Sequence, residues 1–238
     1  MDTETTMLAR KQIVELMDSP TLAAASHLHA LRGLERINGV SRAASPFLRV
    51  IRTMAHERPR QPIRLLDVGC GGGDVPVALA NAAKRWDTTI DLTLFDQSET
   101  ALSHARQHAA GHGHTVRTVA GNAAQGLPED AFDIVSCSLF LHHLHASDAI
   151  AVLRHMRRAS RDRVLVSDLR RSALGLAAAQ VGCRLLSRSA IVHFDGPASV
   201  RGAWTVGEVT DLAQRAGLTN ALVTNQWPWR LFLHWRAA

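Results

Sequence analysis

The sequence contains no tyrosine, and phenylalanine and tryptophan together bring its aromatic content to only 5%. Flat aromatic side chains are the platforms on which single-stranded nucleic acids stack, so their scarcity argues against nucleic-acid binding despite a formal net charge of +6. The densest basic group lies at the end of a predicted helix, where cations complement the helix dipole without a partner. A solvated basic face is the preferred interpretation, and an RNA-binding patch is the alternative. This group consists of Arg154, Arg157, Arg158, Arg161 and Arg163.

Cysteine is also scarce, and the three cysteines lie far apart in apolar or glycine-rich surroundings, which favours neither a disulfide framework nor a zinc site. The longest apolar stretch, 173–186, is shorter than the ~20 residues that a membrane-spanning helix requires. Residues 1–10 lack the apolar segment of a signal peptide. We therefore expect a cytoplasmic protein with no metal and no membrane span. The three cysteines are Cys70, Cys137 and Cys183.

Two common phosphate-binding motifs are absent from the glycine-rich stretch 65–74. No G-x-x-x-x-G-K-[ST] sequence is present there, which excludes a P-loop. A dinucleotide fingerprint requires G-x-G-x-x-G, but the registers that begin at Gly69 and Gly71 place Asp74 and Pro76 where the last glycine should lie. The spacing of the glycines therefore excludes a dinucleotide-binding fingerprint.

What this stretch does contain is D-x-G-x-G-x-G, at the junction between a predicted strand and a predicted helix. Glycines permit backbone conformations that other residues avoid, and they let a ligand approach the free N–H groups of a helix N-terminus. The motif resembles the first motif of the class I S-adenosylmethionine (SAM) dependent methyltransferases. The resemblance implies that the acidic residue lies near the amino acid end of SAM; an ordinary turn without a ligand is the alternative. The residues assigned to this part of the cofactor site are Asp67, Gly69, Cys70, Gly71 and Gly73.

The second part of the resemblance is an acidic residue at the end of the second predicted strand. This strand, 90–95, is followed by Asp96, roughly twenty residues after the glycines. The two oxygens of a carboxylate match the two hydroxyls of a ribose, so Asp96 and its neighbour Gln97 are assigned to the cofactor site. The alternative role for Asp96 is a helix N-cap, for which Ser98 competes.

Two later loops complete the predicted cofactor site. Methyltransferases of this class place a short polar side chain against the adenine, and many have aspartate where this chain has Asn122, although an asparagine oxygen can still accept a hydrogen bond. The acidic turn at 127–131 and the Phe-Asp-Ile-Val strand after it are typical of the family. No Asn/Asp-Pro-Pro-aromatic sequence follows, which argues against methylation of DNA amino groups or protein glutamine. The residues assigned to these loops are Gly121, Asn122, Ala123, Ser138, Leu139 and His143.

Strands and helices alternate from Pro62 onward, which predicts an α/β fold with a parallel sheet covered on both faces. The order of elements resembles the seven-stranded, Rossmann-like sheet of class I methyltransferases, mostly parallel with an antiparallel last strand. An N-terminal helical cap precedes it, and its first helix is predicted to begin at Thr5 or Thr6 and to run through Met17. The predicted boundaries are 1–60 for the helical cap, 61–238 for the methyltransferase domain and 172–204 for a lid inserted within it.

Three segments, 31–38, 167–172 and 194–201, look like those of bacterial methyltransferases associated with type III polyketide synthases, which act on phenolic or quinone products. The resemblance implies transfer of a methyl group from SAM to a small-molecule acceptor, with a phenolic or polyketide-like hydroxyl preferred. A carbon methyltransferase acting on a quinone or polyketide ring is the alternative enzyme. An RNA-associated SAM-binding protein is the alternative of another class. We expect a monomer or a homodimer.

A hydroxyl acceptor benefits from a base, and two histidines are the catalytic candidates, with His193 preferred over His143. His143 is on the loop after the fourth strand, and His193 follows the predicted lid helix, so both are expected on the ligand side of the sheet. Each has a simpler role as an alternative. His143 would pack or form hydrogen bonds near the cofactor, and His193 would orient its loop through Asp195.

Overall fold

The computed structural model describes residues 9–19, 21–128 and 132–237 of the 238-residue chain. A sheet of seven strands forms the centre of the fold, in the order β3-β2-β1-β4-β5-β7-β6. The strands are β1 (Ile63–Val68), β2 (Ile90–Asp96), β3 (Arg117–Ala120), β4 (Phe132–Ser138), β5 (Ser160–Leu169), β6 (Leu222–Gln226) and β7 (Arg230–Arg236).

Strands β1 to β5 pair in parallel, and β7 runs antiparallel to both of its neighbours, β5 and β6. The prediction of a mostly parallel seven-stranded sheet with an antiparallel last strand is therefore confirmed. The chain builds outward from β1 to β3 on one side and then returns to β4 on the other. Open α/β sheets bind ligands at the carboxyl ends of the strands where the strand order reverses in this way.

In the described parts of the chain, eight α-helices surround the sheet, and alternate residues of the central strands face opposite layers. Leu66 and Val135 pack in one apolar cluster with α5 and α8, whereas Leu65 and Ile134 pack in another with α2 and α3. Burial of both faces explains the nearly continuous apolar runs in these strands. The helices are α1 (Ala24–Val40), α2 (Ser45–Glu57), α3 (Asp74–Ala83), α4 (Glu99–Gly111), α5 (Ala146–Ala159), α6 (Ala173–Leu186), α7 (Ala190–Gly202) and α8 (Val206–Arg215).

The N-terminal region differs from the prediction. Thr5 and Thr6 lie outside the described residues, and the chain is not helical from 9 to 15, where the sequence predicted a helix through Met17. Only a short 3-10 helix, Leu16–Asp18, forms there. The backbone N–H groups of Leu16 and Met17 donate to the carboxylate of Asp195, a tertiary contact that competes with a regular helix.

Helix α7 was missed because Gly196 and Pro197 are helix breakers by propensity. The glycine has a packing role, since a Cβ at Gly196 would collide with the sulfur of Cys183 on α6. Helix α5 begins at Ala146 and has Asp148 in its first turn. Residues 129–131 of the predicted acidic turn lie outside the described residues.

Helix α1 contacts both α6 and α7, so the predicted cap and the predicted lid touch each other. It also contacts α3 and α4, the two helices that follow β1 and β2. The carboxyl ends of these central strands therefore lie beneath a helical layer. None of the helices in the described parts of the chain combines the length and the apolar character needed to cross a lipid bilayer.

Candidate functional site

The glycine turn after β1 has the backbone conformation that its sequence predicts. Gly69, Gly71 and Gly73 have φ angles of 66°, 51° and 76°, which lie in the left-handed region that favours glycine. The N–H groups of Gly69 and Cys70 donate to the carbonyl of Phe95 at 2.8 and 3.1 Å. These bonds fix the turn to the end of β2, directly before the N-terminus of α3.

The first two glycines differ in what surrounds them. A Cβ at Gly69 would lie 2.5 Å from the ring of Phe140, which comes from the loop after β4. A Cβ at Gly71 would have no protein atom within 4 Å. Gly69 therefore allows the two loops to pack closely, whereas Gly71 presents its backbone to open space.

We expect Gly69→Ala to lower the free energy of unfolding by about 2–5 kcal/mol, through backbone strain and collision with Phe140. Gly71→Ala should lower it by only about 1–2 kcal/mol from backbone strain. Its methyl group should still weaken binding of the expected cofactor about 10- to 100-fold. Urea unfolding and calorimetric titration with SAM measure the two effects. A stable Gly71→Ala variant that binds SAM normally would contradict the proposed path of the cofactor over this turn.

Asp96 braces the glycine turn. Its Oδ2 accepts a hydrogen bond from the Gly71 N–H at 2.9 Å, and its Oδ1 accepts one from the Ser98 N–H at 2.9 Å. Ser98 is the residue whose side chain caps α4, by accepting from the N–H of Ala101 at 3.2 Å. Burial raises the pKa of the Asp96 carboxyl above its ordinary value. Each carboxylate oxygen has a second lone pair, so the predicted contacts with a ribose are compatible with this geometry. Gln97 is exposed beside it.

Two further carboxylates lie near Asp96. Asp67 is buried, and its Oδ1 accepts a hydrogen bond from the Ser136 hydroxyl at 2.5 Å. Burial, with added repulsion from Asp74 and Asp96, raises the pKa of Asp67 to about 7. Asp74 accepts a hydrogen bond from the Asn38 amide at 3.0 Å. The combined negative field favours a ligand with a cationic end, such as a sulfonium or an ammonium group.

Cys70 lies within the same turn and is buried. Burial and the neighbouring carboxylates, first among them Asp96, raise the pKa of its thiol well above the ordinary value. A thiol that stays protonated is a poor nucleophile, so Cys70 contributes its backbone to the turn and not a reactive sulfur.

The two remaining loops of the predicted cofactor site lie at the carboxyl ends of β3 and β4. The Gly121 N–H donates to the Asp96 carbonyl at 3.0 Å, which joins the first of these loops to the end of β2. Asn122 is exposed, its Oδ1 accepts from the Ala124 N–H at 2.9 Å, and Ala123 is buried. A second lone pair on Oδ1 remains for an adenine, so this role stays a prediction.

The loop after β4 reaches back to the glycine turn. Leu139 has a φ of 55° and donates its N–H to the carbonyl of Ser167 at 2.9 Å. It follows the half-buried Ser138 and precedes Phe140, whose ring covers Gly69. The structure thus brings the predicted residues of β1, β2, β3 and β4 to one edge of the sheet.

The next residues of this loop form a cluster that the sequence analysis identified only in part. His142 is buried, its Nδ1 lies 2.6 Å from Asp168 Oδ1, and its backbone N–H donates to Asp168 Oδ2 at 2.9 Å. Its Nε2 lies 3.6 Å from Glu15 Oε1. Burial alone would lower the pKa of His142, but Asp168 and Glu15 outweigh it and raise that pKa to about 10.

Glu15 belongs to an N-terminal strap, residues 9–19, that crosses this edge of the fold. Arg10 donates to the carbonyls of Gly202 and Leu144 at 2.7 and 2.9 Å, and its guanidinium lies 3.5 Å from the centre of the Trp204 ring. These contacts fix the strap against α7 and the β4 loop. They place the buried Glu15 beside His142 and His143.

The two predicted catalytic histidines occupy different surroundings. His143 is half-buried, stacks on His142 with ring centroids 4.2 Å apart, and places its Nδ1 3.8 Å from Glu15 Oε1. His193 lies on α7, where its Nε2 is 2.8 Å from the carbonyl oxygen of Ser187. His193 lines a pocket of about 440 Å³ whose described lining includes none of the predicted cofactor residues. That lining consists of Ile13, Gln180, Arg184, His193, Phe194, Pro197, Ala198 and Arg201.

A signal for His142 and Asp168 was present in the sequence. Asp168 lies near the end of the predicted fifth strand. Parallel strands end at the same edge of a sheet, so a carboxylate there can lie near the β4 loop. Glu15 had no such signal, because its position depends on how the strap folds back over the domain. Asp195, considered as a partner for His193, accepts hydrogen bonds from the backbone of the strap.

Comparison with known proteins agrees with this geometry. The family described as "Methyltransferase domain" matches residues 65–163, from the glycine turn through the β4 loop to β5. A ubiquinone biosynthesis O-methyltransferase of Caulobacter sp. (strain K31) is 30% identical over 179 residues, covering 71% of this chain and 68% of that protein. A ribosomal RNA large subunit methyltransferase G of Vibrio parahaemolyticus is 33% identical over 91 residues, or 37% of this chain. The chain spans less than a quarter of that second relative, 23% of its length.

Solved structures support the same fold. The structure of the plantazolicin methyltransferase BpumL in complex with SAH superposes on this chain with a TM-score of 0.62 and 12% sequence identity. The superposition covers 88% of this chain and 90% of the BpumL chain. The glycine turn, the acidic end of β2 and the strand order of this chain are those expected for that architecture. The chain therefore belongs to the class I SAM-dependent methyltransferase family, whose cofactor is S-adenosylmethionine.

Proposed function

We propose that this protein transfers a methyl group from SAM to a hydroxyl of a small molecule, with a phenolic or polyketide-like acceptor preferred. The observation that carries the proposal is the histidine–carboxylate cluster of His142, His143, Asp168 and Glu15 beside the glycine turn. A hydroxyl acceptor needs a group that takes up its proton, and the imidazole of His143 is placed in this cluster at the edge of the glycine turn. The names of two relatives, a ubiquinone biosynthesis O-methyltransferase and a plantazolicin methyltransferase, also indicate small-molecule methylation.

SAM supplies an electrophilic methyl group, so the main task of the chain is to position an acceptor in line with the S–CH3 bond and to exclude water. The β4 loop is suited to this task because Leu139 is hydrogen-bonded to β5 and Phe140 packs on the glycine turn. The strap and α7 cover the same edge through Arg10 and Glu15. These contacts give the acceptor site a fixed wall on one side and a cover on the other.

Of the two predicted catalytic histidines, His143 is the group that we propose to activate the acceptor. It lies three residues after Phe140, which covers the cofactor turn, and its ring is half-buried at this edge. His193 lies in the pocket on α6 and α7 described above, with its Nε2 on the Ser187 carbonyl. A catalytic role for His193 stays a prediction. His142 is not proposed as a base, because its raised pKa keeps it protonated at neutral pH.

The finer assignment, to methyltransferases associated with type III polyketide synthases, is part of the proposal. Its three supporting segments lie in α1, at the end of β5 and in α7, and these elements surround the carboxyl edge of the sheet. Arg171 from the second segment donates to Glu208 at 2.9 Å and to the Ala203 carbonyl at 2.7 Å, which fixes the start of the lid. Methylation at a ring carbon of a quinone or polyketide is the alternative reaction at the same site.

An RNA substrate is disfavoured by the position of the arginine group 154–163. This group is at the end of α5 and the start of β5, so it lies at the amino edge of the parallel sheet, opposite the proposed site. Arg163 is also buried, with its Nη2 3.5 Å from Glu57 Oε2. The exposed arginines of this group therefore do not border the cofactor turn.

Incubation with methyl-labelled SAM and a panel of phenols, quinones and RNA tests the proposal. We expect label in a phenolic product whose mass rises by one methyl group and whose fragmentation places that group on oxygen. The Gly71→Ala variant is the matched control, because its weakened cofactor binding should reduce the transfer. Label on a ring carbon would support the alternative reaction, and label in RNA alone would overturn the small-molecule assignment.

A further inference from the structure

Three possible metal ligands converge where the strap meets the β4 loop. Glu15 Oε1 lies 3.6 Å from His142 Nε2 and 3.8 Å from His143 Nδ1, and all three atoms are within 4.8 Å of one another. N–H···O hydrogen bonds have donor–acceptor distances of about 2.7–3.2 Å. Both contacts with Glu15 are therefore too long for direct hydrogen bonds.

The same distances suit three atoms that share one cation. Two ligands that are each about 2.0–2.1 Å from a tetrahedral zinc ion lie roughly 3.3–3.4 Å apart. The Glu15 oxygen would need to approach each histidine nitrogen by only a few tenths of an ångström to reach that spacing, and the two nitrogens lie within 4.8 Å of each other. A direct hydrogen bond between Glu15 and one histidine would bring those two atoms closer together than a shared metal ion does. It would also leave out the nitrogen of the other histidine.

Groups behind the three atoms are arranged as in metal sites. A metal-binding histidine usually donates its other ring N–H to a carboxylate, which fixes the ring and the tautomer. His142 has this arrangement, with Asp168 2.6 Å from its Nδ1. The Ser199 hydroxyl donates to the same Glu15 Oε1 at 2.6 Å, which orients this oxygen and leaves it a second lone pair for a metal. The chain therefore orients two of the three candidate ligands by buried hydrogen bonds.

We propose that Glu15, His142 and His143 form a binding site for a divalent transition-metal cation of the zinc type. Two imidazole nitrogens and one carboxylate oxygen favour such ions over magnesium or calcium, which prefer oxygen ligands alone. Three protein ligands leave a coordination position open, as in catalytic rather than structural zinc sites. No metal was expected from the sequence, where the cysteines are few and scattered and Glu15 is distant from the histidines along the chain. A metal-bound imidazole keeps a proton on its other ring nitrogen, so the base role proposed for His143 applies to the chain without a bound cation.

Metal titration of the full chain tests this proposal without any methyl acceptor. The protein is stripped with a chelator, dialysed, and titrated with Zn²⁺, Co²⁺ and Mg²⁺, with bound metal measured by elemental analysis and Co²⁺ by its visible absorption. We expect one Zn²⁺ or Co²⁺ per chain and no stoichiometric Mg²⁺. Glu15→Gln and Ser199→Ala should each weaken Zn²⁺ binding by about 10- to 100-fold or more, the first as a ligand and the second as its support.

The histidine row on α4 provides the matched control. His104 and His108 are half-buried on α4, His112 follows at its C-cap, and His108 Nδ1 lies 3.9 Å from Glu35 Oε1, so this row could also attract a metal. His108→Gln should leave Zn²⁺ binding unchanged if the proposed site is correct. Loss of binding in His108→Gln but not in Glu15→Gln would overturn the proposal. Failure of the wild-type chain to bind any of the three metals stoichiometrically would also overturn the proposal, because the three side chains would then lie together without a metal ion.

Discussion

His143→Ala is expected to lower the turnover of a phenolic acceptor by about 10²- to 10⁴-fold, the range contributed by a well-placed base. A phenol has a pKa near ~10 and is mostly protonated at neutral pH, which makes it a weak nucleophile until the proton is removed. His143 lies on the β4 loop next to the cofactor turn, and its ring faces a cluster that holds two carboxylates. Loss of this imidazole should therefore affect the chemical step and not the binding of SAM.

The measurement is a comparison of steady-state turnover with the calorimetric affinity for SAM, across pH 6 to 9. His193→Ala is the matched variant, since His193 is the other sequence-predicted base and lies in the separate pocket of α6 and α7. We expect turnover to fall in His143→Ala far more than in His193→Ala, with unchanged SAM affinity in both. The reverse order would restore His193 as the base. Loss of SAM binding in His143→Ala would show that His143 is a structural residue.

The parts of the fold that the sequence predicts well are those set by local chemistry. The start of α8 is an example, because Thr205 and Glu208 form a capping box in which the Thr205 N–H donates to Glu208 Oε2 at 2.7 Å. The glycine turn is another, since the left-handed φ of Gly71 and its bond to Asp96 follow from residue types at fixed spacing. Neither feature depends on contacts with distant segments.

The parts that were not predicted depend on contacts between distant segments. Helix α7 continues through Pro197, and its Gly196 packs against Cys183 of α6, a contact that no local sequence pattern reports. The position of Glu15 arises from the strap, whose Leu16 and Met17 bind Asp195 about 180 residues later. The cofactor half of the site could therefore be assigned from motifs, whereas the histidine–carboxylate half required the folded chain.

Asp96→Ala is expected to weaken SAM binding far more than Asn122→Ala does. Asp96 is a charged acceptor that already fixes the glycine turn through Gly71 and is predicted to bind two ribose hydroxyls as well. Hydrogen bonds to charged groups contribute about 1.5–3 kcal/mol each, so loss of two weakens binding by about 10²- to 10⁴-fold. Asn122 is exposed and neutral, and the loss of its one predicted bond, about 1 kcal/mol, corresponds to roughly a fivefold change.

Calorimetric titration of both variants with SAM and with SAH measures the difference, and thermal unfolding of the apo proteins checks that each variant is folded. Asp96→Asn separates the charge of this side chain from its shape. Its amide nitrogen would face the N–H of either Gly71 or Ser98, since the aspartate accepts from both at 2.9 Å. We therefore expect Asp96→Asn to bind SAM more weakly than the wild type, with part of the loss arising from a loosened glycine turn. Equal losses of SAM affinity in Asp96→Ala and Asn122→Ala would contradict the assignment of Asp96 to the ribose. A charged acceptor of two hydroxyls should contribute more binding free energy than one exposed amide.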